Sequence, residues 1–273
     1  MLLRKAGRYV DTSRLKQLAQ KIQQAQELEK GLEVAKKRQR GMLPELPRVP
    51  GFDIHAIYIP ASKVSGDFYD FIPVAENLIG FALGDVSGHG IEAGIIMGMA
   101  KKALQIYAKG KPSPKETLCI TNADLAKDLD GETFVSASYG ILDTRQRVFR
   151  FARAGHNPPY LVNPARNPQL TEIKPNGMVI GVDKGGRRFP VVTQEQEIIL
   201  QTGDLVFQYT DGIVEAMDKN KVEFGEQRLK DLLLKNYRLS IMDLVHLVEE
   251  SLESHIGTQE HEDDWTMIGF KVL

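Results

Sequence analysis

The sequence predicts an α+β fold. Short β-prone runs come in groups, amphipathic segments of helical period stand between those groups, and Gly, Asn, Asp and Pro punctuate the junctions. A doubly wound parallel sheet would instead alternate strand and helix one by one. With 273 residues, 42% of them apolar, the chain is long enough for one large domain or two small ones, each with a core.

The first element is a long helix. Asp11 to Arg40 holds no proline and one glycine, and Leu15, Leu18, Ile22, Ala25, Leu28, Leu32 and Ala35 recur at three- or four-residue spacing. Asp11, Thr12 and Ser13 are candidate N-caps, and Pro44, Pro47 and Pro50 stop the helix. A boundary near Leu46 follows, dividing an N-terminal helix and linker (1–46) from a body (47–273). The apolar stripe is narrow and slips at Leu28 and Glu29, which leaves a short imperfect coiled coil and docking on the body both open. Residues 11–40 are thus a candidate segment for self-association or for binding an activator. The basic run Lys36, Lys37, Arg38 and Arg40 has no interleaved aromatic and no nucleic-acid reading motif, so a solvated helix face is expected.

Strands follow. The runs Phe52–Ile59, Leu78–Leu83, Thr133–Leu142, Arg147–Ala152, Glu197–Leu200, Asp204–Tyr209 and Trp265–Val272 are expected as strands, and Ile91–Ala108, Lys115–Leu129, Glu226–Leu234 and Ile241–His255 as helices. The stretch Asn163–Gly186, rich in Pro, Gly and Asn, reads as a long connection over the surface.

Charge and cysteine usage narrow the function. The net charge is −1, but residues 1–48 carry 12 Lys/Arg against 5 Asp/Glu, so the head is about +7 and the body about −8. An acidic body repels a polyanion, which argues against a nuclease or phosphodiesterase and against nucleic acid as a partner. The single Cys119 excludes a disulfide framework and a cysteine-based zinc site. With no run of ~18 apolar residues for a membrane span and no signal-peptide core, a cytoplasmic protein is expected.

Four acidic positions share one pattern. Asp67 follows Ser65-Gly66, Asp85 ends an apolar run before Val86-Ser87-Gly88, Asp211 precedes Gly212, and Asp263-Asp264 stand before the last strand. Each sits at a strand mouth beside a turn, where backbone approaches an ion closely. Carboxylate and carbonyl oxygens suit hard cations such as Mg²⁺ or Mn²⁺, while His89, His156 and His261 are too scattered for zinc. Taken singly, each has a plainer reading: a hairpin turn at Asp211-Gly212, a charged loop at Asp263-Asp264, a glycine loop at Asp67. Ser87-Gly88-His89-Gly90 reads as a helix start capped by the serine, with His89 either a proton donor to a leaving group or a turn residue. His156 in "AGHNPPY" reads as structural.

The ordered motifs "SKVSGDFYDF", "GDVSGHG", "AGHNPPY", "YTDGIVEAM" and "DDWTMI" resemble the metal-dependent serine/threonine protein phosphatases, in the bacterial SpoIIE/RsbU-like branch, from about Met42 onward. The segment "KKRQRGMLPELPRVPGFDI" is similar to the linker of RsbU-like proteins. The resemblance implies an α-β-β-α sandwich with two Mg²⁺ or Mn²⁺ ions at one mouth. By motif, it implies Asp85 as the carboxylate bridging both ions, the Val86 carbonyl as a further ligand, Asp67 on one ion, and Asp211 and Asp263 on the other. Asp70 and Asp264 are implied as outer-shell candidates. It further implies hydrolysis of phosphoserine or phosphothreonine by a metal-activated water, with a phosphorylated STAS-type anti-anti-sigma factor as substrate in a partner-switching pathway. A catalytically silent phosphoprotein-binding scaffold of the same fold is the alternative. Ser65 replaces the usual first glycine, Trp265 the usual aliphatic residue, and Lys63 is the one weak counterpart of a phosphate-binding arginine.

Overall fold

The computed structural model describes residues 12–273, with side chains from Lys16 onward. Among the described residues, ten strands form two five-stranded antiparallel sheets. The front sheet has the order β2 (Phe68–Ala75), β3 (Leu78–Val86), β4 (Val135–Asp143), β5 (Val148–Ala154), β8 (Glu195–Ile199). The back sheet runs β1 (Phe52–Ile59), β10 (Trp265–Val272), β9 (Leu205–Tyr209), β6 (Tyr160–Val162), β7 (Leu170–Glu172). Helices α2 (Ile91–Tyr107) and α3 (Pro114–Leu125), with the single turn α4 (Phe189–Val192), cover the front sheet, and α5 (Glu226–Asn236) and α6 (Ile241–Ile256) the back one. The result is the α-β-β-α sandwich.

Strand alternation builds three apolar layers, because successive side chains on a strand point to opposite faces. On β3, Ala82 and Val86 join the layer under α2 and α3, while Phe81 and Leu83 face the other sheet. Phe71, Phe81, Phe149 and Phe270 meet between the sheets, with Phe81 and Phe270 at 5.0 Å between ring centres and Phe149 and Phe270 at 5.2 Å. On the far side, Leu244, Val248 and Leu252 of α6 pack on Phe207 and Met267.

The expected helices are present, and local chemistry sets their ends. Ser113 caps α3 by accepting from Glu116 N, with Pro114 in the first turn. Ser240 caps α6 through Asp243 N, and Gly257, at φ 68°, ends it. Strand β2 is an addition to the expected elements. Its Pro73 argues against a central strand, but β2 lies at the sheet edge, where a missing N–H breaks no ladder. The stretch 163–186 is more than a surface connection: it contains β7, buries Ile173 and Ile180, and bridges Ile180 to Val135.

Helix α1 (Thr12–Arg40) is exposed through most of its length, with Leu18 at 55% and Leu28 at 59% of full exposure, so the apolar stripe is not docked on the body. Only its last turns are anchored, where the side chain of Gln39 is buried. The side chains of the capping candidates Asp11, Thr12 and Ser13, and of Leu15, lie outside the described residues. Among the described residues, no helix is long and apolar enough to cross a membrane.

Candidate metal centre

The layer between the sheets changes character along the strands. At one end it is phenylalanine; further along, the same faces carry Ser138 against Gln208, with the serine hydroxyl donating to Gln208 Oε1 at 2.7 Å. Beyond these come Thr210 and Thr266, and then, at the open mouth, the carboxylates. Asp85 lies two residues beyond Leu83 and four beyond Phe81, so strand parity aims it into the same cleft.

Asp67 is buried, and its Oδ2 accepts from Thr210 Oγ1 at 2.8 Å and Thr266 Oγ1 at 2.5 Å. Two hydroxyls of the back sheet therefore orient a carboxylate that enters from the front sheet. Asp264 secures the loop before it: Oδ1 accepts from Ala61 N at 2.8 Å, and Oδ2 from Ser65 Oγ at 2.5 Å and Gly66 N at 3.2 Å. The same Ser65 hydroxyl accepts from Asp67 N at 3.0 Å, so the serine that replaces a glycine links Asp264 to the backbone of Asp67. Asp211 opens a 3-10 turn, Asp211–Ile213, directly after β9.

Two glycines permit the close approach. A Cβ on Gly66 would lie 2.9 Å from the Val86 carbonyl oxygen and 3.3 Å from Asp85 Oδ1, and one on Gly212 would lie 2.2 Å from the Asp264 carbonyl oxygen and 3.3 Å from Asp263 Cβ. Any side chain at either position would push apart the strand ends that carry the acids.

The carboxylates act on one another. Burial first, then the charges of Asp85 and Asp264, hold the Asp67 carboxyl well above the usual carboxylate range, against the two threonine hydroxyls. Asp85 is pushed up to about 7 by burial and by Asp211, Asp263 and Asp264, with a hydrogen bond to Asp67 acting the other way. Asp263 is raised by burial of its carboxyl, against the hydrogen bond it accepts from Asp264 N, and by the charges of Asp211 and Asp264. Among the described residues, no three His, Cys, Asp or Glu side chains converge into a closed ion cage.

Two sequence-predicted residues are placed elsewhere. Asp70 is three residues from Asp67 on extended backbone, hence on the opposite face of β2. Its carboxylate pairs with Lys101 Nζ of α2 at 2.7 Å, both side chains buried, and accepts from Gln105 Nε2 at 2.7 Å. Lys63 is bound to Glu29 and Glu33 of α1 and is thereby withdrawn from a phosphate-binding role. The serine cap is also corrected. Ser87 Oγ accepts from Phe134 N at 3.0 Å, and α2 begins after Gly90 with no side-chain cap. His89 is exposed on this loop between Gly88 and Gly90, both at positive φ. His156 is buried, with Nδ1 2.7 Å from Ser136 Oγ.

Sequence reasoning missed Thr210 and Thr266, although both stand inside quoted motifs; strand parity from Gln208 and Ile268 was the signal. It also missed Glu215, whose carboxyl is raised by burial and by Asp211. A cavity of about 230 Å³ lined by Gly212, Glu215, Met217, His261, Asp263 and Trp265 adjoins the acidic mouth. Trp265 is buried and stacks on His261 at 3.9 Å between ring centres.

The donor set is all oxygen and strongly acidic, and the glycines clear space beside Val86 and Asp85. These features fit hard divalent cations, with Asp67, Asp85, the Val86 carbonyl, Asp211 and Asp263 as the groups available to hold them.

Two helix-flanked sheets with an acidic mouth define the PP2C-type phosphatase fold. The SiaA-PP2C domain of Pseudomonas aeruginosa superposes with a TM-score of 0.76 over 91% of this chain and 98% of that one, at 21% identity. A family model described as stage II sporulation protein E (SpoIIE) matches residues 75–273, and the chain belongs to that family. It is 26% identical over 272 residues to Protein IcfG of Synechocystis sp. (strain ATCC 27184 / PCC 6803 / Kazusa), and 28% identical over 244 residues to phosphoserine phosphatase RsbU of Bacillus subtilis (strain 168). Each match covers 89% of this chain, but the chain spans only 41% of IcfG and 70% of RsbU.

The electrostatics give a signed prediction for Asp85. An unfolded aspartate titrates near ~3.9, and the folded value is about 7. The protonated carboxyl is therefore favoured by folding: its contribution is complete below the unfolded value and is lost as pH rises through the folded one. Without metal, Asp85→Asn should melt above wild type at about pH 8 and converge with it near about pH 5. Equal melting by circular dichroism at the higher pH would remove the repulsion premise. For Asp70, breaking a buried pair costs about 3–5 kcal/mol, so Asp70→Ala should lose stability of that order in urea unfolding. Its Mn²⁺ affinity by calorimetry should remain that of wild type.

Proposed function

We propose that this protein is a phosphoprotein phosphatase that removes phosphate from serine or threonine with two Mn²⁺ or Mg²⁺ ions at the acidic mouth. The observation that carries this reading is that strand ends of both sheets bring acids to one mouth: Asp67, held by Thr210 and Thr266 of the back sheet, beside Asp85 from the front, and Asp211 and Asp263 from the back. When bound, such ions supply a water of lowered pKa and neutralise phosphate oxygens for in-line displacement.

The chain's own work is placement. Thr210 and Thr266 fix one oxygen of Asp67, and Asp264 holds the Ser65-Gly66 loop. The Val86 carbonyl and the Asp85 carboxylate both lie beside Gly66, on one side of the mouth. No side-chain nucleophile is needed, and His89 on its exposed loop is the candidate proton donor to the leaving serine or threonine oxygen. The name of RsbU, a phosphoserine phosphatase, supports the activity. A phosphorylated STAS-type anti-anti-sigma factor is the proposed substrate.

We further assign residues 1–46 a regulatory or self-associating role. Gln39, near the end of α1, donates from Nε2 to Ser65 O at 2.7 Å and accepts from Ser65 N at 3.0 Å through Oε1. Ser65 lies two residues before Asp67, so a movement of the helix end is transmitted to a candidate ligand. Exposed Leu18, Ile22 and Leu28 provide the face on which a second copy or an activator would act.

With Mn²⁺ and a phosphoserine protein, wild type should turn over, and Asp85→Asn and Asp211→Asn should each lose more than about 100-fold. Equal turnover in all three would sink the mechanism. Deletion of residues 1–40 should change either the mass measured by light scattering or the basal rate; no change in both would reduce α1 to an appendage.

A further inference from the structure

Residues 155–159, between β5 and β6, carry the chain from the front sheet to the back one. They include His156, which is buried at 3% exposure. Its Nδ1 lies 2.7 Å from Ser136 Oγ. Ser136 is the direct cross-strand partner of Asp85 in the β3–β4 ladder, so their side chains stand on the same face of the front sheet. The other ring nitrogen, Nε2, has no hydrogen-bond partner of good geometry, yet the backbone of Tyr209 lies close enough to favour a proton on the ring. Tyr209 ends β9, two residues before Asp211. The ring therefore stands between the strand partner of one candidate ligand and the strand end that presents another.

The loop itself is held in place. Arg153 donates from NH1 to His156 O at 2.7 Å and from Nε to Pro175 O at 2.8 Å. Gly155, at φ 71°, brings the backbone against Val179. Burial lowers the imidazole to about 4, so near neutral pH it is an uncharged strut and adds no positive charge that would oppose a cation. With the Ser136 hydroxyl donating to Nδ1, the proton of the neutral ring belongs on Nε2, facing the back sheet.

We propose that His156 is a positioning residue of the metal centre: lodged between Ser136 and the Tyr209 backbone, it sets the spacing across which Asp85 of the front sheet and Asp211 of the back sheet hold divalent cations. This role rests on the metal-centre reading above. It gives the buried histidine of "AGHNPPY" a function that loop rigidity alone does not require.

The test is Mn²⁺ binding by calorimetry, together with metal-free melting, on wild type, His156→Leu, His156→Gln and Ser136→Ala. His156→Leu and Ser136→Ala should weaken Mn²⁺ binding by about 10- to 100-fold, the range for groups that orient ligands. His156→Gln, which keeps polar atoms at the end of a similar reach, should recover most of the loss. His156→Leu should melt somewhat below wild type, because it leaves the Ser136 hydroxyl without its partner. Should it fail to fold, Ser136→Ala, which removes one hydroxyl, decides alone. Wild-type Mn²⁺ affinity in the folded variants, even with altered melting, would overturn the positioning role and leave the metal centre standing. Absence of Mn²⁺ binding by wild type would overturn both.

Discussion

Repulsion among carboxylates at one mouth of the sandwich is the constraint around which the rest is arranged. Asp67 and Asp85 enter from the front sheet, Asp211 and Asp263 from the back, and the charges of Asp85, Asp211 and Asp263 raise the proton affinity of neighbouring carboxyls. A fold of marginal net stability, about 5–15 kcal/mol for a typical domain, carries such a cluster only when something opposes it. Part of the opposition is local: hydroxyls of Thr210 and Thr266 on Asp67, and backbone N–H groups of Ala61 and Gly66 on Asp264. Part comes from the phenylalanine layer further along the same strands, where burial of each ring contributes roughly 1.5–3 kcal/mol. A bound divalent cation would relieve the rest and so tie stability of the mouth to occupancy of the site.

Much of this was legible in the sequence. The four aspartates stand out because each ends or precedes an apolar run beside a turn, and the α5 and α6 helices show clear periodicity with caps at Ser240 and Gly257. Other features required three dimensions. Asp67 and Asp70 look alike in "SGDFYD", yet an odd separation on extended backbone sends them to opposite faces, one into the cleft and one to Lys101. Strand β2 was obscured by Pro73, which is acceptable only because tertiary assembly leaves β2 at an edge. Ser87 has the composition of an N-cap, but a longer-range partner, Phe134 N, takes its hydroxyl. Propensity lost to a contact 47 residues away.

The N-terminal helix illustrates how a sequence pattern leaves a choice that structure narrows. Its apolar stripe is compatible with docking or association, and the exposure of Leu18, Ile22 and Leu28 excludes docking for that stretch. The bond pair from Gln39 to Ser65 and the ion pairs from Lys63 to Glu29 and Glu33 attach the helix to the segment that leads into Asp67. Surface ion pairs of this kind contribute little to stability. Their position, on the approach to a candidate ligand, gives them consequence.

With divalent cations bound, side chains from both sheets would converge on them. An anomalous-scattering map from crystals soaked in Mn²⁺ addresses this most directly. The account predicts two peaks at the mouth, within coordination distance of Asp67, Asp85, the Val86 carbonyl, Asp211 and Asp263, with Asp85 touching both. Peaks confined to Glu215 and Glu260, or no peak between the sheets, would contradict it.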